Sequence, residues 1–236
     1  MKTVKGFFVV MPAWNEAGTV GEAVREAYAA GAREVVVVDD VSADETASQA
    51  ASAGAVVLRP VLRLGAWGAT QTGLRYCLNK GCEAVVTMDA DGQHQPEYIG
   101  AMLEEINSGQ ADVVIGSCPM RGSRLRKFAW SMFRKITGIP FEDLTSGFRA
   151  YNADALKILT LPEATLIDYQ DLGVLLLLEH SGMRIIEAPV QMRPRRRGHS
   201  RIFNTWFSVG KYMLASIVLS VSKSRRAGQI KRYEPS

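Results

Sequence analysis

Five short apolar runs, each followed by a segment of helical pattern, govern what this chain can fold into. The runs are Phe7–Met11, Glu34–Val38, Ala55–Leu58, Ala84–Met88 and Asp112–Ile115; helix candidates near Thr19–Ala30, Thr46–Ala53, Ala66–Asn79 and Pro96–Ser108 separate them. In the first candidate Val20, Ala23, Val24 and Ala27 recur at the spacing of one helix face. Gly31, Gly54, Gly81 and Gly109 each sit just past a candidate, where a left-handed cap is wanted. Near-continuous apolar strands alternating with helices require a mostly parallel central sheet covered by helices on both faces. Residues 1–116 therefore read as a Rossmann-like, nucleotide-binding α/β half.

Beyond Ser117 the pattern loosens. Arg121–Thr137 reads as a basic loop leading into a helix, Leu172–Leu178 as the core of a helix ending at Gly182, and Arg184–Ala188 and Val190–Met192 as strands around Pro189. Ile202 to Ser222 is a helix candidate apolar on most sides, followed by Lys223, Arg225 and Arg226. This divides the chain into a catalytic domain, 1–201, and a C-terminal amphipathic helix with a basic tail, 202–236, expected to associate with a membrane, with an ordinary core or dimer helix as the alternative. No run reaches the roughly 20 apolar residues of a clean membrane span.

The 236 residues carry a net charge of +4, gathered into clusters around Arg121–Lys135, Arg193–Arg201 and Lys223–Arg232. Such clusters suit phosphates or an anionic membrane. They lack the interleaved aromatic platforms of nucleic-acid binders, so no nucleic-acid partner is expected. Three cysteines without paired metal spacing argue for a reduced, cytoplasmic setting.

The chemistry concentrates where apolar runs end. Val85-Val86-Thr87-Met88 leads into Asp89-Ala90-Asp91-Gly92-Gln93-His94. Ligands of open α/β sheets bind beyond the carboxyl ends of the strands. Regular strand geometry would send Asp89 and Asp91 to one face, where two carboxylates suit Mg²⁺ or Mn²⁺ with substrate phosphates. The alternative is a solvated Asp-x-Asp turn. A second acidic strand end, Asp39-Asp40-Val41-Ser42-Ala43-Asp44, can accept from a base N–H or a ribose hydroxyl, while Ser42 and Asp44 serve equally well as helix caps. Neither the Gly-x-x-x-x-Gly-Lys nor the Gly-x-Gly-x-x-Gly cradle is present. A diphosphate here must be held by metal and basic side chains.

In this order the motifs resemble those of inverting family 2 glycosyltransferases of the GT-A fold, in the dolichyl-phosphate-mannose-synthase-like, polyprenyl-phosphate branch. Pro12-Ala13-Trp14-Asn15-Glu16 is similar to the family opening Pro-x-x-Asn-Glu, and Val38–Thr46 to its nucleotide motif. Asp89–Glu97 is similar to the extended metal motif, Thr145-Ser146-Gly147-Phe148-Arg149 to a further segment, and Arg195-x-x-Gly-x-Ser200-Arg201 to the last. The resemblance implies that Pro12, Ala13, Asn15, Glu16, Asp39, Asp40, Ser42, Asp89 and Ala90 bind the nucleotide-sugar. It implies a divalent cation, Mg²⁺ or Mn²⁺, at Asp89, Asp91 and Gln93, and catalytic roles for Asp89, Asp91, Arg195 and Arg201. Acceptor phosphate would lie among Arg121, Arg124, Arg149 and Ser200.

A sugar hydroxyl acceptor needs a general base, for which Asp168 or Asp171 is the candidate; a lipid phosphate is already anionic and needs none. The Gln-x-x-Arg-Trp segment of saccharide-polymerising relatives is missing. The expected activity is therefore transfer of a hexose from a GDP-mannose- or UDP-glucose-type donor to a polyprenyl phosphate. It would take place at the cytoplasmic membrane face, with a small membrane-protein partner as in similar bacterial chains. The alternatives are a saccharide acceptor in cell-surface polysaccharide synthesis and a non-catalytic nucleotide-sugar-binding subunit. The chain departs from the family at Val41, where Gly is usual, at Arg63 for Asn, at Cys118 for an arginine, and at Gly173 for Glu.

Overall fold

The computed structural model describes residues 6–119, 141–143, 145–165 and 172–194. Arg121–Thr137, Asp168, Asp171, Arg195, Ser200, Arg201 and the helix candidate from Ile202 to Ser222 lie outside the described residues.

The five apolar runs form strands β1 (Phe7–Ala13), β2 (Glu34–Asp39), β3 (Val56–Leu58), β4 (Ala84–Thr87) and β5 (Val113–Ser117). Helices α1 (Val20–Ala29), α2 (Thr46–Ser52), α3 (Gly65–Asn79) and α4 (Ile99–Asn107) occupy the intervals. Val20, Ala23, Val24 and Ala27 are the apolar side chains α1 buries. The four glycines past the helices all take positive φ. After β5 come β6 (Arg149–Asn152), α5 (Ala153–Leu159), the short α6 (Pro162–Thr165), α7 (Leu172–His180) and β7 (Ile185–Pro189).

The sheet runs β3-β2-β1-β4-β6-β5-β7, and β6 is antiparallel to both its neighbours. It is buried on both faces, as unbroken apolar strands require. Along β1, Phe7, Val9 and Met11 pack into one core layer with α1 and α4, while Phe8 and Val10 pack into the other with α3 and α5. The approach of α3 to β1 depends on Gly73, whose added Cβ would fall 2.4 Å from Val10 Cγ1.

Two expectations need correction. Val190–Met192 is not a strand: Pro189 ends β7, Val190 N–H donates to Ser117 O at 3.0 Å, and only Met192 pairs, in an isolated antiparallel bridge with His94. The Asp-x-Asp pair does not continue β4 either. The strand stops at Thr87, so the two-residue strand alternation does not orient Asp89 and Asp91.

At the edge opposite the carboxyl ends of the parallel strands, Asp112 ties β5, β6 and β7 together. Its carboxylate accepts two guanidinium bonds from Arg184, at 3.0 and 2.9 Å, the Arg184 N–H at 2.9 Å and Asn152 Nδ2 at 2.9 Å. The Arg184 hydrogen bonds hold the carboxyl below the usual range, against the opposing effect of burial. A depressed carboxylate pKa contributes stability above the unfolded value of about 3.9 and loses it as pH falls through the folded value. The Asp112→Asn variant should therefore show a flatter loss of thermal stability than wild type on acidification below about pH 5. Parallel melting curves at both ends of that range would refute this.

Candidate active site

The carboxyl ends of β1, β2 and β4 deliver their polar residues to one rim, and there the loops are laced together. Asn15 N–H donates to Ser42 Oγ at 2.9 Å, and Ala43 N–H returns to Asn15 Oδ1 at 2.9 Å. Glu16 N–H donates to Thr46 Oγ1 at 2.8 Å and Ala17 N–H to Asp44 Oδ2 at 3.2 Å. Burial works against the charge on Asp44, but hydrogen bonds from the Thr46 hydroxyl and the Ala17 and Thr46 N–H groups outweigh it and hold its carboxyl below the usual value. Ser42 thus serves the β1–α1 loop, whereas Asp44 does both: it accepts Ala17 N–H from that loop and the N–H of Thr46, the first residue of α2, at 3.1 Å.

The adjacent acids Asp39 and Asp40 divide their work. Both are buried. Asp39 accepts Ser42 N–H at 3.1 Å and pairs with Arg59 Nε at 3.2 Å. Asp40 accepts Leu64 N–H at 2.6 Å and Gly65 N–H at 2.9 Å, so its charge sits at the positive end of α3. Arg63, which replaces the family's usual Asn, lies 3.8 Å from Asp40 and stacks with its guanidinium carbon 3.5 Å from the Trp14 ring centroid. Pro12 faces the neighbouring pocket, and Ala13 is buried. Between Asp40 and Ser42, Val41 is held at φ 61°, the left-handed region that the family's usual glycine would occupy without strain.

Asp89 lies just past β4 with its side chain 40% exposed. Three groups fix it. Its N–H donates to His94 Nδ1 at 2.9 Å, which leaves the ring proton of neutral His94 on Nε2, 3.7 Å from Asp89 Oδ2. The buried His94 ring stacks on Phe148, centroids 5.1 Å apart. Gly147 completes the enclosure: an added Cβ there would come within 3.1 Å of Asp89 Oδ1. The same loop is anchored by Thr87 Oγ1, which donates to Gly147 O at 2.8 Å.

Asp91 is buried in the turn and accepts Gln93 N–H at 3.0 Å, while Ala90 packs into the core. Gln93 is tied to the 190–193 segment. Its carbonyl accepts Arg193 N–H at 2.9 Å, and its amide donates to Arg193 O at 3.4 Å. Arg193 itself pairs with Glu26 of α1 at 2.6 Å, a structural role within the second basic cluster. Arg149, only 3% exposed, lines a pocket with Asp89, Pro12, Trp67, Thr70, Thr87, Gly147 and Tyr151. The buried Asp143 accepts Cys118 N–H at 3.2 Å, and its own N–H donates to Glu187 at 2.9 Å.

The structure thus brings Pro12, Asp89 and Arg149 to one pocket and laces Asn15, Glu16 and Ser42 beside it. Arg121, Arg124, Arg195, Ser200 and Arg201 lie outside the described residues. His94 and Gly147 stand inside motifs read from the sequence, yet their roles as supports of Asp89 follow only from three-dimensional proximity. Among the described residues no group of three or more His, Cys, Asp or Glu side chains forms a metal cage. The hard-oxygen donors present still fit a Mg²⁺-like ion, which takes one or two carboxylates and completes its shell with substrate phosphates and water.

The model of glycosyl transferase family 2 matches residues 8–162. Undecaprenyl-phosphate mannosyltransferase of Micrococcus luteus is 32% identical over 216 residues, covering 82% of this chain and 86% of its own. Polyprenol monophosphomannose synthase of Mycolicibacterium smegmatis is 27% identical over 212 residues, 82% of this chain and 80% of its own. Among solved structures, glucosyl-3-phosphoglycerate synthase of Mycobacterium tuberculosis, in complex with Mn²⁺, uridine diphosphate and phosphoglyceric acid, superposes with a TM-score of 0.71 at 21% identity. That match covers 96% of this chain and 80% of that one, and shows a shared fold.

The strained turn offers a direct test. Left-handed φ at a β-branched residue costs on the order of 1–3 kcal/mol, more than the backbone entropy lost by placing glycine there. Val41→Gly should raise the melting temperature by about 2–4 °C. An unchanged or lower value would show that the turn carries no strain.

Proposed function

The chain belongs to glycosyl transferase family 2 and is a glycosyltransferase, and from that premise we propose that it moves a hexose from a nucleotide-sugar to a polyprenyl phosphate, with inversion, at the cytoplasmic membrane face. The observation that carries the reading is Asp89, a partly exposed carboxylate fixed just past the end of β4 beside the buried guanidinium of Arg149. Two relatives, one named for undecaprenyl phosphate and one for polyprenol monophosphomannose, support the acceptor class.

In this mechanism Asp89 would hold a divalent cation at the donor diphosphate site, with Asp91 shaping the turn that presents the Asp89 carboxylate. The bound cation supplies Lewis-acid neutralisation of charge on the departing nucleoside diphosphate. His94 and Gly147 keep the Asp89 carboxylate in one orientation, so little reorganisation is needed at the moment of reaction. The base and ribose lie along the laced loops from Pro12 to Glu16 and from Asp39 to Ser42. Arg149 provides fixed positive charge on the acceptor side, and Arg121, Arg124, Arg195, Ser200 and Arg201 supply the remaining phosphate contacts. An oxygen of the lipid phosphate attacks the anomeric carbon as the bond to the diphosphate oxygen breaks, and the configuration inverts. No general base is required, because the nucleophile is already an anion.

Among the described residues no helix is long and apolar enough to cross a membrane. Contact with the bilayer is assigned to the amphipathic, basic segment 202–236, with a small membrane-protein partner as a further anchor.

Purified protein with Mn²⁺ or Mg²⁺ should transfer labelled sugar from GDP-mannose or UDP-glucose into undecaprenyl phosphate. Asp89→Asn should lower the rate by on the order of a hundredfold or more. His94→Ala, which removes only the support, should lower it by about tenfold. Label released as free sugar, with none in the lipid fraction for either donor, would contradict the acceptor assignment.

A further inference from the structure

The segment joining β3 to α3 exposes apolar side chains at the rim that holds the site. Val61 is 95% exposed, Leu62 73% and Leu64 46%. Among the described residues only two other large apolar side chains are exposed, Val41 and Leu161. Val41 belongs to the same surface. Arg59 donates to Ser42 O at 3.0 Å, and Leu64 and Gly65 N–H groups hold the Asp40 carboxylate, so the 40–42 turn and the 59–65 segment are joined. Four of these five side chains therefore gather at one place. Single exposed apolar residues need no explanation, but a cluster at a functional rim does.

We propose that this rim is a membrane-docking surface, with Val61 and Leu62 entering the interfacial layer of an anionic bilayer and Arg59 and Arg63 meeting its headgroup phosphates. Charge complementarity selects this occupant. The Arg59 and Arg63 side chains are 56% and 53% exposed, whereas the carboxylates beside them, Asp39 and Asp40, are 1% and 5% exposed. Within the 59–65 segment the outward charge is thus cationic; Asp39 and Asp40 lie buried within 4 Å of it, and the exposed Asp44 and Glu45 stand further along the adjoining turn. A single projecting segment, its Val61 side chain almost wholly exposed, suits a fluid interface that needs no shaped complement. Docking here would bring the carboxyl edge of the sheet to the surface that holds a lipid phosphate. That consequence rests on the acceptor proposed above; the docking itself does not.

The test is flotation of the full chain with vesicles of mixed phosphatidylcholine and phosphatidylglycerol, and of phosphatidylcholine alone. The paired substitution Val61→Asp, Leu62→Asp should lower the fraction bound to the anionic vesicles by about tenfold, while Leu161→Asp leaves it unchanged. In a Cys118→Ser background, where Cys77 and Cys82 are buried, Leu62→Cys carrying an environment-sensitive dye should shift to apolar emission when anionic vesicles are added. Equal flotation of wild type and the paired variant, water-like dye emission in the bound state, or equal binding to uncharged vesicles would each overturn the proposal. So would loss of self-association, rather than of vesicle binding, in the paired variant. With a short-chain, water-soluble polyprenyl phosphate the paired variant should turn over as wild type does. If no polyprenyl phosphate is glycosylated at all, the acceptor assignment fails while the flotation result still decides the docking.

Discussion

The site depends on a reversal in the sheet. β6 enters antiparallel between β4 and β5, in a register that places Arg149 opposite both Thr87 and Ile115. The carboxyl end of β4 therefore meets the amino end of β6, and the loop preceding β6 closes onto Asp89. An all-parallel insertion would have delivered that loop to the opposite edge, since parallel neighbours start together. Through this single reversal Gly147 packs against Asp89, Phe148 supports the His94 ring, and Arg149 reaches the pocket with its guanidinium buried.

Around that junction most polar groups at the strand ends are engaged with one another. Asp40 holds the start of α3, Asp44 and Thr46 hold the β1–α1 loop, and Asp39 holds the turn that contains Val41. Backbone N–H groups at strand and helix ends must find partners, and here side chains from neighbouring loops supply them. The result is a rim whose geometry is fixed before any ligand arrives. Asp89 differs from the buried acids Asp39, Asp40 and Asp91 in keeping a large part of its carboxylate in solvent. That exposure, together with its place beside Arg149 in the pocket, is the ground on which the proposed cation is assigned to it.

Much of this was legible in the sequence, and the parts that were not have physical reasons. The strands β1 to β5 and the helices between them were readable because a doubly covered parallel sheet needs unbroken apolar runs, and Val35–Val38 and Ala84–Val86 are such runs. β6 was not read as a strand, because Arg149-Ala150-Tyr151-Asn152 is short and half polar and its strand character comes from the neighbours that bracket it. The Asp-x-Asp motif is visible in the sequence, but its orientation is not, because the strand alternation that would set it stops at Thr87. At Val41 the residue type alone does not decide between a left-handed and a relaxed turn; the structure has φ 61°, the left-handed region, between the tied residues Asp40 and Ser42. Roles that depend on distant partners, such as His94 on Phe148 or Arg193 on Glu26, carry no local signature.

At the centre of the proposed mechanism stands Asp89 as the residue that would hold a divalent cation beside the donor diphosphate. Titration of Mn²⁺ by electron paramagnetic resonance, with and without a nucleoside diphosphate, addresses that role directly. Wild type should bind Mn²⁺ weakly alone and about tenfold or more tightly with the diphosphate, because substrate oxygens complete the coordination shell. Asp89→Asn should lose that enhancement while keeping its melting temperature. Enhancement of equal size in the variant would contradict the assignment of Asp89 and the mechanism built on it.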